Sequence, residues 1–484
     1  MALVGRKKEQ QTLLEKYDSN RPEFIAVIGR RRIGKTYLVT ETFKDDFAFK
    51  HTGLSPVELE DIRKADNKTY LDIQLKHFYH SLQRYGLKDG KIPHDWLEAF
   101  YMLEKLLEQL PKEKRKVVFI DEVPWLDTPK SLFITGLEAF INGWANTQNI
   151  LFVVSGSAIY WMSKEIINNH GGLFNRITGT IALEPLSLGE TELLLQDNHL
   201  TLSRYDITQA YMVLGGVPYY LNQLRRGLSL SSNIDELFFK KTSSLVNEFK
   251  LQFSSSFKDN TLTEAIVRAV STKKIGLTRQ EIISVTNSSD GERFSKALNA
   301  LIDSHYLVKY RPIQSDKLLY KLIDSFCLFY LHFVDKKYHL DSSFFASNLD
   351  SQKVVSWKGL AFENVCYNHI EQIKEALNIR GISSSRYSFI YKGEKEKEGS
   401  QIDLVLERKD NIVNLCEMKF YSENYKADKN SHLKLVNKES ILKQYIAKKQ
   451  IVNSVLITTY GIVKNEYQWD YTNVVVIDDL FKIV

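Results

Sequence analysis

Eight consecutive residues, Gly29-Arg30-Arg31-Arg32-Ile33-Gly34-Lys35-Thr36, set two glycines, a lysine and a hydroxyl at the spacing G-x-x-x-x-G-K-S/T. This pattern suits a phosphate chain. The glycines let backbone N–H groups curl around phosphoryl oxygens, and the following helix aims its positive N-terminus at them. The lysine reaches the β- and γ-phosphates while the hydroxyl holds Mg²⁺. Gly29, Arg32, Ile33, Gly34, Lys35, Thr36 and Tyr37 are therefore candidate ATP-binding residues. A second stretch, Val117-Val118-Phe119-Ile120-Asp121-Glu122, is an apolar run ending in two acids. Asp121 is expected to hold Mg²⁺ together with Thr36. Glu122 is expected to orient or deprotonate the attacking water. ATP and Mg²⁺ are the cofactors that this pair of motifs requires.

A third group lies far downstream. Ile402-Asp403-Leu404-Val405-Leu406 reads as a strand opening with a buried acid, and Val413-Asn414-Leu415-Cys416-Glu417-Met418-Lys419-Phe420 reads as its antiparallel partner. Asn411 suits the turn between them. Period-2 alternation puts Glu417 and Lys419 on one face. Hairpin pairing brings Asp403 beside them. Two carboxylates and a lysine on one sheet face are costly unless they share a task. Asp403 and Glu417 are candidate metal ligands, and Lys419 a group that stabilises a charged transition state or positions water for phosphodiester attack.

The elements that must position these groups follow from hydrophobic patterning. Apolar strands at 24–28, 117–120 and 150–154 alternate with helical patterns such as 96–110, which implies a parallel sheet covered on both faces. Residues 189–257 are helical in pattern, interrupted at Gly215-Gly216-Val217-Pro218. Three short amphipathic helices follow at 262–270, 278–283 and 293–304, with Thr278 and Glu281 spaced as a capping box. Alternating segments at 306–310 and 318–322 predict a hairpin. Residues 323–333 predict a buried helix joining domains, and from 356 onward the pattern is mixed α/β. The fold class expected is a multidomain α/β protein: a P-loop core at 1–188, a helical lid at 189–257, a winged-helix-like module with its connecting helix at 258–345, and an α/β domain at 346–484.

Composition narrows the class of protein. The 484 residues are 43% hydrophobic and 26% charged with only 9 prolines, which argues against a disordered chain. A net charge of +6 permits contact with nucleic acid without requiring it. The three cysteines, Cys327, Cys366 and Cys416, stand far apart, as expected of a reducing, cytoplasmic setting and not of a disulfide scaffold or structural zinc site. The first ten residues carry no apolar run of the signal-peptide kind, and no stretch approaches the length of a membrane helix.

The paired phosphate motifs resemble the AAA+ and STAND branch of P-loop ATPases. The resemblance implies several further roles. Val4-Gly5-Arg6 with Glu9 is similar to the box that leads the P-loop and lies near the adenine. Ser157, in Ser155-Gly156-Ser157, looks like the sensor that bonds the γ-phosphate or lytic water. Pro218 looks like the proline of a STAND lid that packs on the base. Arg176 stands where related ATPases place an arginine acting across a subunit boundary, so a homo-oligomer is expected. The order of elements over 262–322 resembles a winged helix-turn-helix, with Arg293, Lys296 and Asn299 on the exposed face of its third helix. The downstream group resembles the PD-(D/E)xK nuclease superfamily, with Ile402 in place of the leading proline. That likeness implies Glu363 as an extra metal-binding acid, and Gln444, on a helix expected at 441–448, as the later glutamine. Together the chain resembles bacterial and archaeal ATP-binding proteins with a nuclease-like C-terminal domain. The joining of an ATPase to a nuclease-like domain suggests a protein whose nucleotide state controls a nuclease acting on DNA, in defence against foreign DNA. The alternative is a switch for signalling or oligomerisation whose C-terminal domain binds without cutting.

Overall fold

The computed structural model describes residues 3–44, 46–66, 69–111, 114–257, 259–313, 315–335, 341–391 and 400–484, with Asp403 described for its backbone only. The chain divides into two compact units, one formed by 1–184 with 250–260 and the other by 185–249 with 261–484.

The first unit is built on a parallel sheet. Its strands are β1 (Glu23–Ile28), β2 (Phe47–Thr52), β3 (Lys116–Asp121), β4 (Ile150–Gly156) and β5 (Gly179–Ala182). Their order across the sheet is β2-β3-β4-β1-β5, every pairing parallel. β3 and β4 are buried at every residue, as continuous apolar runs covered on both faces must be. One face is closed by the helices Trp96–Glu108 and Phe133–Gly143 through an aromatic cluster of Trp96, Phe100, Phe133, Phe140 and Phe152. Gly136 allows that approach, because a Cβ there would lie 2.9 Å from the Trp96 backbone. Asp95 caps the first of these helices by accepting from the Glu98 N–H at 2.8 Å. Because β4 lies between β1 and β3, the carboxyl ends of all three meet at one edge. Ligands of open α/β sheets bind at such an edge.

The second unit joins parts that the sequence separates. A mixed sheet runs in the order β13-β12-β11-β10-β9, formed by β9 (Ser384–Tyr391), β10 (Ser400–Arg408), β11 (Ile412–Lys419), β12 (Ile451–Thr458) and β13 (Asn473–Val476). β9, β10 and β11 pair antiparallel, and β11, β12 and β13 pair parallel. A three-residue turn with Asn411 at φ 66° links β10 to β11, a hairpin connection that favours a left-handed residue at its end. The helices Asn260–Val270, Arg279–Thr286 and Glu292–Asp303 accompany a small sheet ordered β6-β8-β7, from β6 (Leu277–Thr278), β7 (Leu307–Tyr310) and β8 (Leu319–Leu322). Thr278 and Glu281 close the capping box reciprocally. Ile313, in the β7–β8 connection, donates its N–H to Ser388 O at 3.0 Å and packs on the core of the C-terminal sheet.

Aromatic packing unites this second unit. Phe329 and Phe333 of the 325–334 segment lie 5.3 and 5.5 Å from Trp357, and Phe329 lies 5.0 Å from Phe238. The helices Leu230–Phe238 and Gln352–Asn368 therefore share one core. His369 ties the region further by accepting from the Leu188 N–H at 2.9 Å. The division into compact units falls at 184/185, 249/250 and 260/261. The helix expected at 441–448 is instead the end of Lys429–Lys443, with Gln444 as its C-terminal cap residue. Among the described residues no helix is long and apolar enough to cross a membrane.

Candidate functional site

The P-loop leaves β1 at Gly29, whose φ of 155° and whose approach to Leu183 exclude a side chain: a Cβ would lie 2.7 Å from Leu183 O. Arg32 at φ 70° and Gly34 at φ 98° turn the loop into the helix Lys35–Phe43, whose first turn no side chain caps. Those N-terminal amides lack a side-chain cap, as the anion-binding loop expected from the motif requires. Ile33 and Lys35 are buried, Thr36 and Tyr37 exposed. The Lys35 ammonium, only 4% exposed, donates to Arg30 O at 3.3 Å and pairs with Glu122 Oε1 at 3.2 Å.

The acids at the end of β3 meet this loop. Thr36 Oγ1 donates to Asp121 Oδ2 at 2.6 Å, and Ser155 Oγ donates to Asp121 Oδ1. Glu122 leaves the strand in the left-handed region, at φ 51°. This turn, held by Glu122 N–H donation to Asp121 Oδ1 at 3.1 Å, aims the side chain across to β4. There Glu122 Oε2 accepts from the Ser157 N–H and from Ser157 Oγ, each at 2.8 Å. Burial, and then the neighbouring Glu122 carboxylate, push the Asp121 carboxyl above its ordinary range, against the Ser155 and Thr36 hydrogen bonds and the Lys35 charge. Two adjacent buried acids facing one lysine form an oxygen-rich, electron-rich pocket. The donor set of hydroxyl and carboxylate suits a hard divalent cation, so Thr36 and Asp121 fit Mg²⁺ and Lys35 with the loop amides fits phosphate. A bound Mg²⁺ would neutralise phosphate charge. Glu122 would hold or take a proton from water once freed from Ser157.

The structure thus brings together Gly29, Gly34, Lys35, Thr36, Asp121, Glu122 and Ser157. It adds Ser155, whose hydroxyl anchors Asp121; the serine at the end of an apolar strand was visible, but not which acid it would meet. Arg6 is buried and donates to Glu184 O and to Glu9 Oε1 at 3.5 Å. Arg176 is half-buried and makes no ion pair among the described residues. Pro218 belongs to the second unit, at the first position of the helix Pro218–Leu221.

In the C-terminal sheet, the pairing Leu404↔Cys416 carried one step further sets the Asp403 backbone opposite Glu417; the Asp403 side chain lies outside the described residues. Glu417 and Lys419 share a face, with Lys419 Nζ 3.7 Å from Glu417 Oε2. Lys438, on the helix Lys429–Lys443, also pairs with Glu417. No spacing rule linked that lysine to the acid. Glu363 is buried and engaged by two lysines, Lys274 at 2.6 Å and Lys321 at 3.6 Å. Among the described residues no group of three His, Cys, Asp or Glu side chains is placed to hold a metal ion. Arg293, Lys296 and Asn299 are exposed on the helix Glu292–Asp303, with Lys296 paired to Glu292 at 2.6 Å.

An uncharacterized protein of Methanocaldococcus jannaschii is 22% identical over 410 residues, 83% of each chain. Among solved structures, a Walker-type ATPase of Pyrococcus abyssi is similar with a TM-score of 0.45 at 16% identity, over 68% of this chain and 96% of that one. The ORC2 protein of Aeropyrum pernix, with bound nucleotides, is similar with a TM-score of 0.45 at 14% identity, over 69% of this chain and 94% of that one. Residues 3–224 match a family described as an ATPase domain predominantly from Archaea. The P-loop and the buried acid pair both lie within that stretch, so the N-terminal part of the chain is similar, in sequence and in its phosphate-site motifs, to an ATPase domain of the archaeal type.

Proposed function

We propose that this protein is a Mg²⁺-dependent ATP hydrolase whose nucleotide state governs a C-terminal domain acting on DNA. The observation that carries the ATPase half is the meeting of Lys35, Thr36, Asp121 and Glu122 at the carboxyl edge of the sheet. Nucleotide enters by displacing Glu122 from Lys35. The released carboxylate then acts on water. Pro218 packs on the base and Arg176 reaches a neighbouring copy in a homo-oligomer. The C-terminal domain cuts DNA through Asp403, Glu417 and Lys419; Asp403 and Glu417, with Glu363 as a further acid, would hold a second Mg²⁺, which would supply charge stabilisation for phosphodiester attack. Arg293, Lys296 and Asn299 contact the duplex as the face of a winged helix. Defence against foreign DNA is the role that joins these parts. The test is plasmid incubated with protein, Mg²⁺ and ATP: cutting is expected, and Lys419→Ala should abolish it while leaving ATP turnover intact. Cutting that survives in Lys419→Ala would remove the nuclease assignment.

A second reading has its own support. Glu417 is engaged by Lys438 and Lys419, and Glu363 by Lys274 and Lys321. Lysines already compensate these acids without metal. On that reading the domain binds and does not cut, and ATP controls oligomerisation. It predicts an ATP-dependent change in mass with the plasmid intact.

A further inference from the structure

The second unit holds a cavity of about 620 Å³ between the β7–β8 connection, the β10–β11 turn and the segment after the helix Lys429–Lys443. Its lining includes Arg311, Ile313, Lys409, Asn411, Tyr445 and Lys449. The walls are fixed. Ile313 is bonded to the β9 backbone at 3.0 Å, and the Tyr445 ring lies 5.3 Å from Phe389 and 6.4 Å from Tyr391.

The charges on the lining are not balanced. Glu407 accepts from Gln450 Nε2 at 2.8 Å, and Arg408 is compensated by Asp410. Arg311, Lys409 and Lys449 are exposed and form no ion pair among the described residues. Three cations therefore face a concave site whose floor is apolar and aromatic. The volume falls within the range of roughly 300–1,000 Å³ typical of small-ligand sites. Glu417 lies four residues along β11 from Val413, which lines the cavity, about 13 Å at the usual rise per strand residue. The cavity is thus separate from the Glu417–Lys419 cluster.

We propose that this cavity is a second, metal-independent site for a phosphorylated nucleotide unit. Arg311, Lys409 and Lys449 take the phosphates, and the floor around Tyr445 takes the base. The same chemistry is offered by a free nucleotide and by the 5′-phosphorylated end of a nucleic-acid strand. The inference does not rest on nuclease activity.

The experiment is fluorescence anisotropy of a 5′-phosphorylated ten-thymidine strand, labelled at its 3′ end, on full-length protein in EDTA. Chelation removes the Mg²⁺-dependent events at the other sites. Arg311→Glu with Lys449→Glu should weaken binding at least about tenfold and flatten its salt dependence, each lost phosphate contact lowering the log–log slope by about 0.7. Lys409→Gln with Lys449→Gln should weaken it in the same direction without reversing charge. Lys88→Glu with Lys91→Glu, an equal charge change on exposed lysines of the first unit, should bind as the parent does. Competition by thymidine diphosphate assigns the free nucleotide as ligand; its failure to compete against a strand that still depends on Arg311 and Lys449 assigns the strand end. No binding of either probe by the parent overturns the proposal. So does an equal loss in the Lys88/Lys91 control.

Discussion

Replacing Glu122 by glutamine separates two roles that the structure gives one side chain. Glu122 is 8% exposed, and it holds Ser157 through Oε2 and Lys35 through Oε1. Glutamine can keep both Ser157 donors on its amide oxygen. Its amino group then faces the Lys35 ammonium, donor against donor, and among the described residues the buried lysine retains Arg30 O as its direct partner. Breaking a buried pair in this way costs roughly 3–5 kcal/mol where the remaining charge is wholly uncompensated. The Arg30 carbonyl and the nearby Asp121 carboxylate lower that to about 2 kcal/mol. Phosphate supplies the missing countercharge, so the penalty falls on the empty protein and vanishes in the complex. ATP should therefore bind Glu122→Gln roughly 30-fold more tightly than the parent, and its melting temperature should rise more on adding ATP. Turnover should fall by about 10²–10⁴-fold with the loss of the base. Anisotropy of a labelled ATP analogue with Mg²⁺ gives the affinity, and phosphate release gives the rate. Unchanged or weaker ATP affinity would refute the displacement of Glu122 by nucleotide, and turnover at the parent rate would refute its role as base.

Lys35→Ala removes the one ammonium group in the P-loop and should abolish ATP binding measured by calorimetry. Acid should destabilise the second unit through His369, which is fully buried, accepts from Leu188 N–H through Nε2 and faces Val365 O with Nδ1 at 2.7 Å. Burial lowers its pKa from 6.5 to about 4, so its contribution is present above pH 6.5 and is lost as pH falls towards 4. Over that window the loss amounts to about 3 kcal/mol, seen as a steep fall in urea midpoint that His369→Gln should flatten; parallel curves would contradict it. Gly216→Ala places a Cβ 2.0 Å from Leu186 O, a backbone atom. It should cost at least about 2 kcal/mol. Gly359→Ala, in open space within the helix Gln352–Asn368, should stabilise by up to about 1 kcal/mol; equal urea midpoints for the two variants would exclude this account.

What the sequence determined by itself was local chemistry. The glycine spacing around Lys35 dictates a loop of free amides. The apolar run ahead of Asp121 dictates a buried strand with acids at its end, and Asn411 marks the turn that folds β10 onto β11. Each of these rests on neighbours within a few residues, where backbone sterics and side-chain alternation act directly. The tertiary structure decided which distant groups meet. Short strands such as β5 and β13 carry little periodicity of their own and are set by their partners in the sheet. The placement of β4 between β1 and β3 brings Ser155 to Asp121 and Ser157 to Glu122. Packing sends Lys438 to Glu417 and two lysines to Glu363. The same packing sets Phe238, Phe329 and Trp357 in one aromatic core, which draws the helices after residue 185 into the C-terminal unit. Such pairings depend on how whole faces of helices and sheets bury apolar area against each other, a property of the assembled chain that no stretch of a dozen residues carries.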